Sequence, residues 1–240
     1  MTNTFGHTKM SAPGAALITV VALCLLGVSP AYAQDAGEKD AHRSIYVQVD
    51  LGIAPKTHST LEGVPSGRLD FDGSVFPAAL TIGWKPAGLQ NDAGGWALEL
   101  SAFTRRLSIE QTTIGSVKSP SDGDMEVGGF MANVRYELNL GSVRPYLTGG
   151  AGVAKTEISD VPDLKLRDTK TNKANFVSHF GAGVGFQPKA FGRASLWLGY
   201  DCLTTSTPRF ETQYGINPPG TMRVKHVLPE TFTLGLRYAF

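Results

Sequence analysis

Thr231-Phe-Thr-Leu-Gly-Leu-Arg-Tyr-Ala-Phe240, the last stretch of the sequence, decides the fold class. Phe232, Leu234, Leu236, Tyr238 and Phe240 occupy every second position, with Thr233, Gly235, Arg237 and Ala239 between them. Successive side chains of a strand point to opposite sides, so a period of two marks a strand whose faces meet different surroundings. Here one face is wholly apolar and ends in aromatics, while the other mixes glycine, threonine and a charge.

The same alternation recurs upstream. Leu196, Leu198, Tyr200 and Cys202 oppose Trp197, Gly199 and Asp201; Phe180, Ala182, Val184 and Phe186 oppose His179, Gly181, Gly183 and Gly185. Phe130 to Leu138, Trp96 to Phe103, Phe76 to Lys85 and Ile45 to Ile53 repeat it, and Arg144 to Lys155 adds a segment whose Gly149, Gly150 and Gly152 conceal its faces. The total is about eight strands, each near the ~10 residues that a tilted membrane strand needs. The links between them alternate in length. Pro86 to Gly94, Asn139 to Ser142 and Pro188 to Gly192 are short; Ala54 to Gly73, Ser108 to Asp124, Thr156 to Lys173 and Thr205 to Lys225 are long and polar. An all-β, antiparallel up-and-down transmembrane β-barrel, with short periplasmic turns and long outer loops, produces this rhythm.

In hydrocarbon the exposed side chains must be apolar and the backbone must be paired within a closed sheet, so the apolar rows face lipid and the mixed rows face the lumen. Trp84, Trp96, Tyr136 and Tyr238 then form an aromatic girdle near the short-turn end. Glu99 and Arg135, on neighbouring strands, fall inside at similar depth, with Arg237 also low in the barrel, and the spacing predicts a cross-strand ion pair. Asp50, Arg105, Glu137, Asp201 and Lys85 join or rim the same network. Eight strands leave an interior that side chains just fill, which favours a plugged lumen over an ion pathway.

Residues 1–33 read as a signal peptide, with Lys9, an apolar run from Ala15 to Val28, and Ala31-Tyr32-Ala33 ahead of a cleavage site between Ala33 and Gln34. The run is too short for the roughly 20 residues of a spanning helix. Residues 34–43 then form a short periplasmic segment and 44–240 the barrel. Lys9 is one of 22 basic residues, and the leader holds none of the 21 acids, so the mature chain balances at 21 against 21. No basic face marks a nucleic-acid binder. Cys202 alone remains after cleavage, which excludes an intrachain disulfide and a cysteine-rich metal site. No metal or other cofactor is expected.

The closing segment, with Arg144-Pro-Tyr-Leu-Thr-Gly-Gly-Ala-Gly-Val153 and His179-Phe-Gly-Ala-Gly-Val-Gly-Phe186, resembles the eight-stranded outer-membrane β-barrel superfamily of the outer-membrane-protein-A-like and opacity-protein-like surface proteins. The resemblance covers essentially Ser44 to Phe240. It implies residence in the outer membrane of a Gram-negative bacterium, among lipid and lipopolysaccharide, as a monomer of the porin-family type. It further implies that Phe232, Leu234, Leu236, Tyr238 and Phe240 are the signal read by the barrel-assembly machinery. The peptidoglycan-binding domain of some relatives is not expected after Phe240. Function is expected to be non-enzymatic: envelope integrity, or adhesion and binding of an extracellular ligand through the loops, with a narrow porin or small-solute channel as the alternative. Lipid A deacylases carry His and Ser two apart on one strand face. Ser178 and His179 are adjacent and so point to opposite faces, while His42 and Ser44 have the spacing but sit at the periplasmic end.

Deleting Phe240 is expected to reduce the heat-modifiable, membrane-inserted form and to leave precursor or periplasmic aggregate on immunoblots; normal insertion would contradict the terminal signal.

Overall fold

In the computed structural model of the chain, residues 45–62, 66–72, 77–159, 169–170, 174–206, 209–211, 221–225 and 230–240 are described. The leader, the Ala33–Gln34 junction and the 34–43 segment lie outside the described residues. Eight strands make the wall: β1 Ile45–Ile53, β2 Ala78–Trp84, β3 Gly94–Ile114, β4 Asp124–Leu138, β5 Val143–Ser159, β6 Asn175–Phe186, β7 Ala194–Thr205 and β8 Thr231–Ala239. Each pairs antiparallel with the next, and β8 returns to pair with β1, which closes the ring.

Register carries the two faces around the barrel. Val49 on β1 lies opposite Leu236 on β8 and Leu80 on β2, so the outward rows align. Leu100, Phe130 and Leu198 on that side are roughly 60% exposed, as lipid-facing residues must be, while Gln48, Glu99, Arg135 and Arg237 on the other side are buried. The parity of β5 is now fixed: Tyr146, Thr148, Ala154, Thr156 and Ile158 point inward, and Leu147 and Val153 outward. The periplasmic links are tight. Leu140 bridges to Val143 around Gly141 at φ 75°, a left-handed conformation that favours glycine. The other two use the single 3₁₀ turns Ala87–Leu89 and Lys189–Phe191.

Three consecutive strands are much longer than the ten residues expected. β3 has 21, β4 15 and β5 17, because parts of the segments read as polar loops continue the sheet. The long link after β1 is likewise a hairpin, Thr57–Glu62 paired with Gly67–Asp72, and Gly67–Asp72 in turn pairs with the outer end of β3. The cause is an inversion of environment. Up to Ala102, Phe130 and Val153 the outward row is apolar; beyond them it becomes Thr104, Arg106, Glu126 and Lys155. The inward row changes the other way, to Leu107, Ile109, Met125, Val127 and Ile158, all fully buried. Below this level the outside is lipid and the inside polar. Above it the outside is water and the inside is an apolar core, to which the hairpin adds Leu61, Leu69 and Phe71. The barrel therefore carries an outer storey packed like a soluble protein.

Leu107→Ala is expected to cost the outer storey about 2–5 kcal/mol, the usual range for emptying a buried leucine site. On whole cells this should appear as faster cleavage by added protease, with the heat-modifiable membrane band retained. Unchanged cleavage would show that the core does not hold the outer strands.

Candidate functional site: the sealed lumen

The lumen of the periplasmic half is crossed by a stack of side chains from opposite walls. Tyr46 on β1 and Tyr146 on β5 stand four strands apart in an eight-strand ring, which places them across its diameter. Between them lie the Arg237 guanidinium, the Trp197 indole and the Arg135 guanidinium. Arg237 sits 3.9 Å from the Tyr46 ring centroid and 3.7 Å from that of Trp197. Arg135 sits 5.2 Å from Trp197 and 4.2 Å from Tyr146. Each cation thus lies between two aromatic faces, within the ~6 Å at which the ring quadrupole attracts it. Trp197 is further fixed by its indole N–H, which donates to Ser195 Oγ at 2.8 Å, and by edge contact with Tyr146 at 5.4 Å.

Two glutamates neutralise the stack. Glu99 accepts from the Tyr46 hydroxyl at 2.5 Å and stands 2.8 Å from Arg135 Nε, an ion pair whose N–H is not aimed at the carboxylate. The pair is diagonal: Glu99 lies directly opposite Asn133, and Arg135 opposite Ala97. Glu137 takes a bond from Arg237 Nη1 at 2.5 Å and one from Lys85 Nζ at 2.6 Å, while Arg237 Nε donates to Gln48 Oε1 at 2.9 Å. Close approach needs small neighbours. A Cβ on Gly83 would strike the Tyr46 ring, and one on Gly185 would come within 2.6 Å of Trp197.

A hydrogen-bonded belt runs above the stack. Thr81 and Ser101 bond at 2.8 Å, Asn133 Nδ2 donates to Ser101 Oγ at 3.1 Å, and His179 bridges Asn133 Oδ1 at 3.1 Å and Asp201 Oδ1 at 2.8 Å. Thr233 extends it to β8 by donating to Asp201 Oδ2 at 3.0 Å. His179 reaches β4 across β5 because Gly150, directly opposite both His179 and Asn133, has no side chain; a Cβ there would strike Asn133 Oδ1. Inside the belt lies a cavity of about 60 Å³, room for only a few waters at the ~10–15 Å³ minimum each requires. Asp50, which accepts from Gln48 at 2.7 Å, and the buried Arg105 line it, as do Phe103, Met131 and Leu203 from the apolar core above.

Of the charges read from the sequence, Glu99, Arg135, Glu137 and Arg237 gather in the stack, and Asp50, Arg105 and Asp201 around the cavity. Sequence reasoning gave no role to Tyr46, Gln48, Tyr146 and Trp197 and weighed His179 only as a partner for Ser178, although inward parity marks Tyr46, Gln48, His179 and Trp197. Trp84, Trp96, Tyr136 and Tyr238 all lie on the outward rows, with Trp96 and Tyr136 in ring contact at 4.8 Å. Outward too are Phe232, Leu234, Leu236 and Phe240.

A family model described as outer membrane protein beta-barrel domain matches residues 20–240. No curated protein matches the chain. Among solved structures, the outer membrane protein OprG from Pseudomonas aeruginosa is similar with a TM-score of 0.53 and 16% identity, over 82% of this chain and 96% of its own. Neisserial surface protein A has a TM-score of 0.42 and 16% identity, over 82% and 97%. Ail, the attachment invasion locus protein of Yersinia pestis, has a TM-score of 0.40 and 16% identity, over 82% and 99%. At such identity the likeness speaks for the fold alone, and a fold does not name an activity.

Glu99→Ala takes from Tyr46 its acceptor and from Arg135 its ion-pair partner inside the barrel, a loss of about 3–5 kcal/mol for a broken buried pair. The temperature at which the compact band disappears on electrophoresis should fall, and fall less for Glu99→Gln, which still accepts from Tyr46. Equal midpoints for all three proteins would contradict the role given to Glu99.

Proposed function

The chain belongs to the outer membrane protein β-barrel domain family, barrels of the Gram-negative outer membrane, and from that premise we propose that it is a non-enzymatic surface protein with a closed lumen. It contributes to envelope integrity and offers its folded outer storey to extracellular ligands. The observation that carries this reading is the pair of seals in series: the Tyr46–Arg237–Trp197–Arg135–Tyr146 stack below the cavity and the apolar core above it. An eight-strand interior has no spare width beside such a stack. Ions crossing it would have to displace guanidinium groups held by both aromatic rings and carboxylates.

That His179 is structural and not a catalytic base belongs to the same reading. His179 commits one ring nitrogen to Asn133 and the other to Asp201, which leaves neither to take a proton from a nucleophile. Export by the 1–33 leader with cleavage at Ala33–Gln34, recognition of the Phe232 to Phe240 row by the assembly machinery, and a monomeric state complete the proposal. The ring closed by β8 on β1 supports the last, because a barrel that satisfies its own edges needs no partner to do so.

In planar bilayers the purified barrel is expected to give no stable conductance, and Trp197→Ala to give frequent openings. Stable, ion-selective current through the unaltered protein would replace this reading with a channel. Lipid A from cells with and without the protein should give identical mass spectra; a changed acyl pattern would mark an enzyme.

A further inference from the structure

Two of the three periplasmic turns share one backbone design and differ in charge. Pro86-Ala87-Gly88-Leu89 and Pro188-Lys189-Ala190-Phe191 each set an extended proline ahead of a single 3₁₀ turn, and the fourth residue's N–H donates to the proline carbonyl at 3.0 and 2.9 Å. Both expose that fourth residue, Leu89 or Phe191. The second position separates them: Ala87 stands in the first turn and the exposed Lys189 in the third. Further on, the first turn leads to the exposed Asp92 and the third to the half-buried Arg193. Arg144, directly opposite Gly185 near the end of β6, adds a third cation to this side, and its Nε has no hydrogen-bond partner among the described residues.

Acids do not cancel these charges. Glu137, at the same end of the lumen, is held by Lys85 and Arg237, and no carboxylate among the described residues lies within ion-pair distance of Arg144, Lys189 or Arg193. A carboxylate at Phe240, the neighbour of Ala239 whose N–H donates to Arg193 O at 3.0 Å, offsets one of the three charges and leaves two. Height then decides what meets them. The outward row of β5 is apolar from Val153 down to Val143, ten residues along. At about 3.3 Å per residue and a tilt of roughly 35–45° this spans roughly 25 Å, the height of the apolar band of such barrels. Val143 lies directly opposite Phe186, the last residue of β6, so the hydrocarbon ends at that level. Lys189 follows three residues later, in the layer of phospholipid headgroups, and the lipid-facing row runs on into the turn through Phe186 and Phe191.

We propose that the third periplasmic turn binds an anionic phospholipid of the inner leaflet, with Lys189 and Arg193 on its phosphate and Phe191 at its headgroup–acyl boundary. Aromatic rings settle at that boundary, and basic side chains beside it attract anionic headgroups. A zwitterionic lipid brings its own ammonium to the site and gains less from the two cations. The proposal rests on the orientation that puts the short turns in the periplasm; bilayer currents and lipid A spectra leave it untouched.

The test embeds the full barrel in nanodiscs of phosphatidylethanolamine and phosphatidylglycerol in equal parts, strips the bulk lipid with detergent, and measures the lipid retained by mass spectrometry. Phosphatidylglycerol is expected to dominate. Its retention should fall about fivefold for Lys189→Gln or Arg193→Gln, the equivalent of ~1 kcal/mol per basic residue, and at least tenfold for the double variant. Lys118→Gln, which removes an exposed charge from the outer storey, should leave it unchanged, and excess inorganic phosphate should not displace it. Heat-modifiable migration reports folding of each variant, and Lys189→Gln alone decides if the Arg193 variants do not fold. Retention of both lipids in bilayer proportion, equal retention in the folded turn variants, or an equal loss in Lys118→Gln would overturn the proposal. Full displacement by phosphate would overturn it in favour of a bare anion site.

Discussion

The pairing of β8 with β1 is the constraint on which the rest of the molecule depends. Backbone groups facing hydrocarbon have no water to bond, so a spanning sheet must satisfy every edge, and a sheet does so by closing. Closure with eight strands sets the radius, and that radius admits side chains from the wall and little else. The interior therefore cannot be a matter of indifference to the sequence. Whatever is placed on the inward rows is forced into contact with what stands opposite, and here those residues are two arginines, three aromatics and two glutamates.

Such a crowd is tolerable because each member answers a need of its neighbours. An unpaired guanidinium in the lumen would be costly, yet between aromatic faces and beside carboxylates it is both packed and neutralised. The aromatics reach the axis only because Gly83 and Gly185 leave room beside them. Glycine-rich composition, charge-poor walls and buried charges are thus one design. The same closed ring then rises out of the lipid, where the solvent on its outside changes from hydrocarbon to water, and the hydrophobic phase of every long strand reverses without any change in backbone parity.

That reversal explains what the sequence disclosed and what it hid. Within the membrane each inward charge sits between apolar neighbours: Glu99 between Leu98 and Leu100, Arg237 between Leu236 and Tyr238. Period-two alternation therefore fixes their side of the sheet directly. Trp197 between Leu196 and Leu198 makes an unbroken apolar run, so polarity gives no clue and only the parity of the whole strand places it inside. The outer storey was hidden for a sharper reason. Ile109 and Ile158 lie among polar residues whose outward-facing row is hydrophilic, and a pattern of opposite phase reads as a loop to anyone following the lipid face. The diagonal offset of Glu99 and Arg135, and the reach of His179 over Gly150, depend on stagger between strands, which no single segment encodes.

The central claim is that Trp197 lies inside a sealed lumen, and its own fluorescence tests this most directly. With Trp84 and Trp96 replaced by phenylalanine, Trp197 is the sole remaining indole, 2% exposed at the middle of the stack. Iodide and acrylamide added to the folded barrel should leave its emission essentially unquenched, and quenching should appear only when the barrel is heat-denatured. Quenching in the folded protein at the rate of a free indole would mean that water and solutes reach the axis, and that the lumen is open.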